Sequence, residues 1–135
     1  MRLMVLDDDE DLADIYRESL VDQGHEVFVF NRAEDALKAY HRHKGERAFE
    51  YLITDMRMPG ASGVDFIHEI KNSNPGQKFI MISAYTDEIA LPEEWDIPIF
   101  EKPAFVEDVL NGIFEQRMRQ SFCHGLIVSR RNIEE

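Results

Sequence analysis

The chain has 135 residues, with 27 acidic against 15 basic side chains and a net charge of −12. Its length suits one domain that needs no disulfide or structural metal, and a single cysteine, Cys123, excludes an internal disulfide and fits a reducing compartment. The acidic balance argues against direct nucleic-acid binding, and no apolar run nears the roughly 20 residues of a membrane span. The first residues read as a strand followed by acids, not as a signal peptide, so the expected location is cytoplasmic.

Strand and helix patterns alternate five times. Arg2–Leu6 is a short apolar strand that runs directly into Asp7-Asp8-Asp9-Glu10-Asp11. Leu12, Ile15, Tyr16 and Leu20 then recur at helical spacing, and Gly24 is placed to end that helix. Asp9, Glu10 and Asp11 form its acidic first turn, favourable to the helix dipole. Glu26–Phe30 is a second strand, rich in Val and Phe, and Ala33, Ala36, Leu37 and Tyr40 mark a second helix. Tyr51–Thr54 is a third strand ending on Asp55, followed by the turn-rich Met58-Pro59-Gly60-Ala61-Ser62-Gly63.

A third helix buries Phe66, Ile67 and Ile70 and stops before Pro75-Gly76. Lys78–Ile82 is the fourth strand, ending on Ser83. Helix four is short or distorted: only Asp87–Leu91 reads as helical, and Pro92 interrupts it. Ile97–Glu101 is the fifth strand, ending on Lys102, and helix five carries Val106, Val109, Leu110, Ile113 and Phe114. Residues 1–120 are read as one domain. Residues 121–135, which include Phe122 and Leu126-Ile127-Val128, extend helix five or form a linker.

Five such units require a parallel α/β sheet with right-handed crossovers and helices on both faces. Open sheets of this kind bind ligands outside the carboxyl ends of their strands, where the strand order reverses. Asp7, Asp8, Asp55, Ser83 and Lys102 all stand at such ends. Three carboxylates and one ammonium there sum to −2. Unit charges about 4 Å apart interact by roughly 4 kcal/mol at an effective dielectric near 20, so an anionic phosphoryl donor is repelled from the bare site.

A divalent cation cancels that charge, and hard oxygen donors suit Mg²⁺ or Mn²⁺, with Asp8 and Asp55 as direct ligands. Asp55 is the best nucleophile toward phosphorus. It stands alone at the end of the middle strand, between the acid pair and the Ser83–Lys102 side. Lys102 supplies positive charge and Ser83 a hydroxyl to the phosphoryl oxygens. The charge placed on Asp55 can then draw Ser83 and its loop inward, turning chemistry into a shape change.

These residues carry a family resemblance. Val5-Leu6-Asp7-Asp8, Thr54-Asp55-Met56-Arg57-Met58-Pro59-Gly60, Ile82-Ser83-Ala84 and Glu101-Lys102-Pro103 occur in that order, each in its strand context. The chain resembles the receiver domain of bacterial two-component response regulators, from about Arg2 to the end of helix five. The resemblance implies a flavodoxin-like, doubly wound five-stranded parallel sheet of order 2-1-3-4-5. It implies a signalling switch, not an enzyme of turnover, with Asp55 as the acceptor of a phosphoryl group. The donor is a sensor histidine kinase or phosphotransfer protein, and the output is a downstream effector or output domain.

Residue roles follow from the same resemblance. Asp7, Asp8, Asp55 and the backbone carbonyl of Arg57 match the Mg²⁺ ligands, Ser83 the switch hydroxyl and Lys102 the phosphate-sensing lysine. The Lys102–Pro103 bond matches one that is usually cis. The chain departs from the pattern where the family's switch aromatic holds Ile99, with Phe100 beside it, and where the Ser83–Lys102 segment is compressed. Arg57 and Tyr85 flank the path of attacking water, so a bulky Tyr85 is expected to slow hydrolysis.

Other readings of these residues fit less well. Asp7, Asp9, Asp11 and Glu18 partly match a calcium loop, but the turn position holds Leu12 where glycine is needed. Asp7-x-Asp9 after a strand is also similar to haloacid-dehalogenase-type phosphatases, which leave Asp55 without a reason. A degenerate receiver that binds a partner without phosphorylation is the third possibility. His41 and His43 have the wrong spacing for one helical face, while His25 and His68 read as surface or turn residues. Cys123-His124 lacks an acid nearby for thiol catalysis, and Trp95 is expected to cap the core near strand five.

Overall fold

A computed structural model of the chain describes residues 1–43, 45, 48–58, 61–84, 91–102 and 106–124, with the side chains of 57, 58, 61, 106 and 120–124 excepted. The main sheet has five parallel strands: β1 (Arg2–Leu6), β2 (Glu26–Phe30), β3 (Tyr51–Thr54), β6 (Lys78–Ser83) and β7 (Ile99–Glu101). Their spatial order is β2-β1-β3-β6-β7, with registers such as Leu6↔Phe30, Leu6↔Thr54, Thr54↔Met81 and Ser83↔Glu101. Counting only these five, the order is the expected 2-1-3-4-5. Four α-helices are present among the described residues: α1 (Glu10–Asp22), α2 (Ala33–Arg42), α3 (Gly63–Ser73) and α4 (Val106–His124).

Strand side chains alternate between the two faces of a sheet, and here both faces are covered. Leu3 and Val5 of β1, Tyr51 and Ile53 of β3, and Ile80 and Ile82 of β6 pack with Ala13, Tyr16 and Leu20 of α1 and Val109 and Ile113 of α4. Their neighbours Met4, Leu6, Leu52, Phe79 and Met81 face the other way, onto Ala36 and Tyr40 of α2 and Phe66, Ile67 and Ile70 of α3. The continuous apolar runs of the central strands thus feed two cores at once. Each buried Leu, Ile, Phe or Met contributes about 1.5–3 kcal/mol. Phe79, Ile80 and Met81 are wholly inaccessible to solvent.

Local chemistry sets the helix ends. Asp9 caps α1, its carboxylate accepting from the Leu12 N–H at 3.1 Å, and Ser62 caps α3 by accepting from the Asp65 N–H at 3.0 Å. Gly24, at φ 91°, turns the chain out of α1 in the left-handed region open to glycine. Two buried amides join distant elements. Gln77 accepts from the Tyr40 hydroxyl at 2.8 Å and donates to the Phe49 carbonyl, while Gln116 accepts from the Tyr51 hydroxyl at 2.7 Å and donates to the Asp96 carbonyl.

Several details differ from the sequence reading. The fifth strand begins at Ile99, not Ile97; Pro98 contributes only its carbonyl, which accepts from Met81 N–H at 2.9 Å. A proline has no N–H to give to the ladder. Ile15 and Phe114 lie outside the buried stripes, 57% and 63% exposed, whereas Ala13 takes a core position in α1. A two-residue antiparallel pair, β4 (Arg57–Met58) with β5 (Ala61–Ser62), follows Asp55 where only a turn was expected.

The expected fourth helix falls largely on residues 85–90, outside the described residues, as do Tyr85, Pro59, Gly60 and Pro103. Beyond that gap a 3-10 turn (Glu93–Trp95) lays Trp95 partly buried on the α2–α3 core, its ring edge-on to His68 at 4.8 Å. No helix among the described residues is long and apolar enough to cross a membrane.

Candidate functional site

The carboxyl ends of the three central strands and of β7 deliver the site. Asp7 follows β1, Asp55 follows β3, Ser83 ends β6 and Lys102 follows β7. Backbone bonds continue the ladders by one residue past the strands: Asp7 N–H donates to the Phe30 carbonyl at 3.1 Å and Asp55 N–H to the Leu6 carbonyl at 3.0 Å. Lys102 N–H donates to the Ser83 carbonyl at 2.8 Å. Residues far apart in sequence are therefore held side by side by sheet hydrogen bonding.

Lys102 bridges the acids. Its Nζ lies 2.8 Å from Asp55 Oδ2 and 3.0 Å from Asp7 Oδ2. The side chains of Asp7 and Asp55 are only 4% and 9% exposed and that of Lys102 18%, so solvent screens these pairs weakly. Each acid keeps a second contact to the backbone. Asp7 Oδ1 accepts from Asp9 N–H at 2.9 Å, and Asp55 Oδ1 accepts from Met56 N–H at 2.7 Å. Asp8 is exposed, and carboxylate oxygens of Asp7, Asp8 and Asp55 all lie within 4.8 Å of one another.

Burial pushes the Asp7 carboxyl above the usual carboxylate range, more than the Asp9 N–H and Lys102 lower it. Burial also disfavours the Lys102 ammonium. The hydrogen bonds and charges of Asp55 and Asp7 outweigh it, and its pKa stands above the ordinary lysine value. The formal charge of −2 over three acids and one lysine is thus concentrated in a largely buried crevice open on the Asp8 side. Three hard oxygen donors that close together fit a small divalent cation. Among the described residues this is the group of acids that could hold one.

The structure brings Asp7, Asp8, Asp55 and Lys102 together. Ser83 is fully buried at the end of β6, beside Lys102 through the backbone. Arg57 lies in β4, two residues past Asp55, with its backbone paired to Ser62. Ile99 is 37% exposed, while Phe100 turns inward over α4, where a Cβ on Gly112 would meet its ring at 2.8 Å.

Two supporting residues were not singled out from sequence. Asn31 donates from Nδ2 to the Asp7 carbonyl at 2.9 Å. Gly63 packs so closely on the Asp55 carbonyl that an added Cβ would overlap it, and Gly63 N–H donates to the Met56 carbonyl. A Ser-Gly pair at the start of a helix carries a local signal for the second. Asn31 carries none, because its partner lies 24 residues away.

Comparison with known proteins agrees with this geometry. The model of the response regulator receiver domain family matches residues 3–97. A response regulator receiver protein of Anaeromyxobacter sp. (strain Fw109-5) is 31% identical over 113 residues, covering 82% of this chain and 46% of the relative. The response regulator receiver protein CpdR of Brucella abortus (strain 2308) is 27% identical over 116 residues, covering 83% of this chain and 92% of the relative. The chain thus spans under half of the first relative and nearly all of the second.

Among solved structures, a response regulator receiver domain protein from Clostridium thermocellum superposes with a TM-score of 0.77 at 23% identity, over 90% of this chain and 98% of that one. The response regulator TrrA from Thermotoga maritima, in complex with Mg²⁺–BeF, gives a TM-score of 0.70 at 25% identity, over 85% and 96%. These receivers are signalling domains built on one fold. By sequence, strand order and the family match, the chain belongs to the response regulator receiver domain family.

Proposed function

We propose that this chain is a phosphorylation switch in which Asp55 accepts a phosphoryl group from a phosphohistidine donor on a sensor kinase or phosphotransfer protein. The observation that carries this reading is the convergence of Asp7, Asp8 and Asp55 within 4.8 Å, with Lys102 Nζ 2.8 Å from Asp55 Oδ2. An Asp55 carboxylate oxygen forms the O–P bond as the donor's N–P bond breaks, and the electron pair of that bond stays with the imidazole nitrogen. Met56 N–H fixes one oxygen of the nucleophile and leaves the other toward Lys102.

Asp7, Asp8, Asp55 and the Arg57 carbonyl would hold Mg²⁺, or Mn²⁺, which supplies charge neutralisation for the incoming phosphoryl oxygens. Lys102 contributes a mobile positive charge, able to exchange a carboxylate for a phosphoryl oxygen. Ser83 ends the neighbouring strand and supplies the hydroxyl that reads the modified state. Self-catalysed acceptance and loss of phosphate make this a switch, not an enzyme of turnover. We read residues 1–120 as the switching unit and 121–135 as an extension of its last helix or a linker. The partner that receives the signal is an effector or an output domain.

Incubation with acetyl phosphate and Mg²⁺, followed by intact mass, tests the assignment. One added phosphoryl group is expected in the parent and none in Asp55→Asn. No adduct in the parent, or an equal adduct in Asp55→Asn, refutes it.

A further inference from the structure

We infer that Asn31 is a positioning residue for the acid pair, acting through the Asp7–Asp8 peptide; the inference rests on the metal-site reading above. Leu6↔Phe30 is the last residue pair of the β1–β2 ladder. One step further, the Asp7 N–H still finds the Phe30 carbonyl, but the Asp7 carbonyl has passed the end of β2. A strand-end carbonyl in a partly buried setting needs a donor. Asn31, the residue directly after β2, supplies it from its side chain at 2.9 Å.

That bond fixes more than a carbonyl. A peptide unit is planar, so holding the Asp7 oxygen sets the orientation of the Asp8 N–H and Cα on the other side of the bond. Asp7 itself is over-determined, with Oδ1 on Asp9 N–H and Oδ2 on Lys102. Asp8 is different. It is exposed, and no side chain among the described residues holds its carboxylate. The direction in which Asp8 leaves the backbone, and so its place in the 4.8 Å acid group, depends on the peptide that Asn31 grips.

Outer residues that orient metal ligands commonly change affinity by about tenfold or more when removed. Asn31→Ala is therefore expected to weaken Mg²⁺ binding about tenfold. Acetyl-phosphate labelling of Asp55 should slow at low Mg²⁺ and return to within about twofold of the parent at saturating Mg²⁺, since the Asn31 side chain bonds to the Asp7 carbonyl and the Lys102 ammonium to the carboxylates of Asp55 and Asp7. Mg²⁺ alone is the probe, titrated by calorimetry.

Two further readouts separate positioning from general stability. The Asp8 amide resonance of the metal-free protein should shift in Asn31→Ala, and its thermal midpoint should stay within a few degrees of the parent. Asn31→Leu, which fills the space without a donor, should weaken Mg²⁺ as Asn31→Ala does. Unchanged Mg²⁺ affinity in both variants overturns the inference, as does a labelling defect that persists at saturating Mg²⁺. A parent protein that binds no Mg²⁺ overturns the site reading and this inference with it.

Discussion

Replacing Lys102 by Met keeps the length of the side chain and removes its charge, which puts the electrostatics of the crevice to a direct test. At 2.8 and 3.0 Å, each contact to Asp55 and Asp7 is worth about 5–6 kcal/mol before desolvation at an effective dielectric near 20. Desolvation of the ions offsets much of this, and removing one partner of a buried pair costs about 3–5 kcal/mol in practice. The crevice opens to solvent beside Asp8, so the lower end applies.

A loss of about 3 kcal/mol follows for the metal-free protein. With an unfolding entropy of about 2.1 cal/mol/K per residue over 135 residues, that is a fall of about 10 °C in thermal midpoint. The acid group left behind carries −3 in place of −2, so it attracts a cation more strongly. Saturating Mg²⁺ should therefore raise the variant's midpoint by more than it raises the parent's. Thermal melts in chelator and in Mg²⁺ decide the matter. A variant that melts within about 3 °C of the parent without metal, or that gains no more from Mg²⁺, refutes the account of Lys102 as the charge that holds the acids together.

Gly63→Ala should displace the Asp55–Met56 peptide, lowering stability by about 1–3 kcal/mol and reducing acetyl-phosphate labelling of Asp55. Gly76→Ala, where the nearest atom to an added Cβ is Asn74 Oδ1 at 3.6 Å, is the control expected to change neither the melt nor the labelling of Asp55. His25 reports on pH: burial first, then the N-terminal ammonium 3.1 Å from its Nδ1, hold its pKa below 6.5. The unfolded chain takes up that proton first, so stability present above pH 6.5 is lost as the pH falls toward the folded pKa. Denaturant melts from about pH 7 to about pH 5 should show a shallower decline in His25→Gln, and identical slopes would contradict the assignment.

The first and third strands stand where their apolar runs begin and end, because a strand buried on both faces admits few polar residues and Asp7 or Asp55 ends it sharply. The acids, Ser83 and Lys102 were legible as a group for a related reason. In a parallel sheet every strand end of one kind lies on one side, so residues that follow apolar runs must become neighbours. The fifth strand was harder. It is an edge strand of three residues whose burial is slight, and its start is set by pairing with β6, not by its own composition. Ile15 and Phe114 matched the helical period and still face solvent, since periodicity gives the axis of an apolar stripe but not its width.

Residue order and chemistry by themselves determined the element types, the parallel architecture and which side chains could meet at its carboxyl edge. Only the folded chain decided how they meet: that Lys102 spans Asp7 and Asp55, that Met56 N–H occupies Asp55 Oδ1, that Gly63 lies under the Asp55 carbonyl and that Asn31 holds the peptide of the acid pair. The contacts of Asn31 and Lys102 join residues separated by 24, 47 and 95 positions, and those around Asp55, Met56 and Gly63 turn on the path of a short hairpin. Local pattern fixes what a segment is; distances of 3 Å between segments arise only when sheet register and loop path are set together.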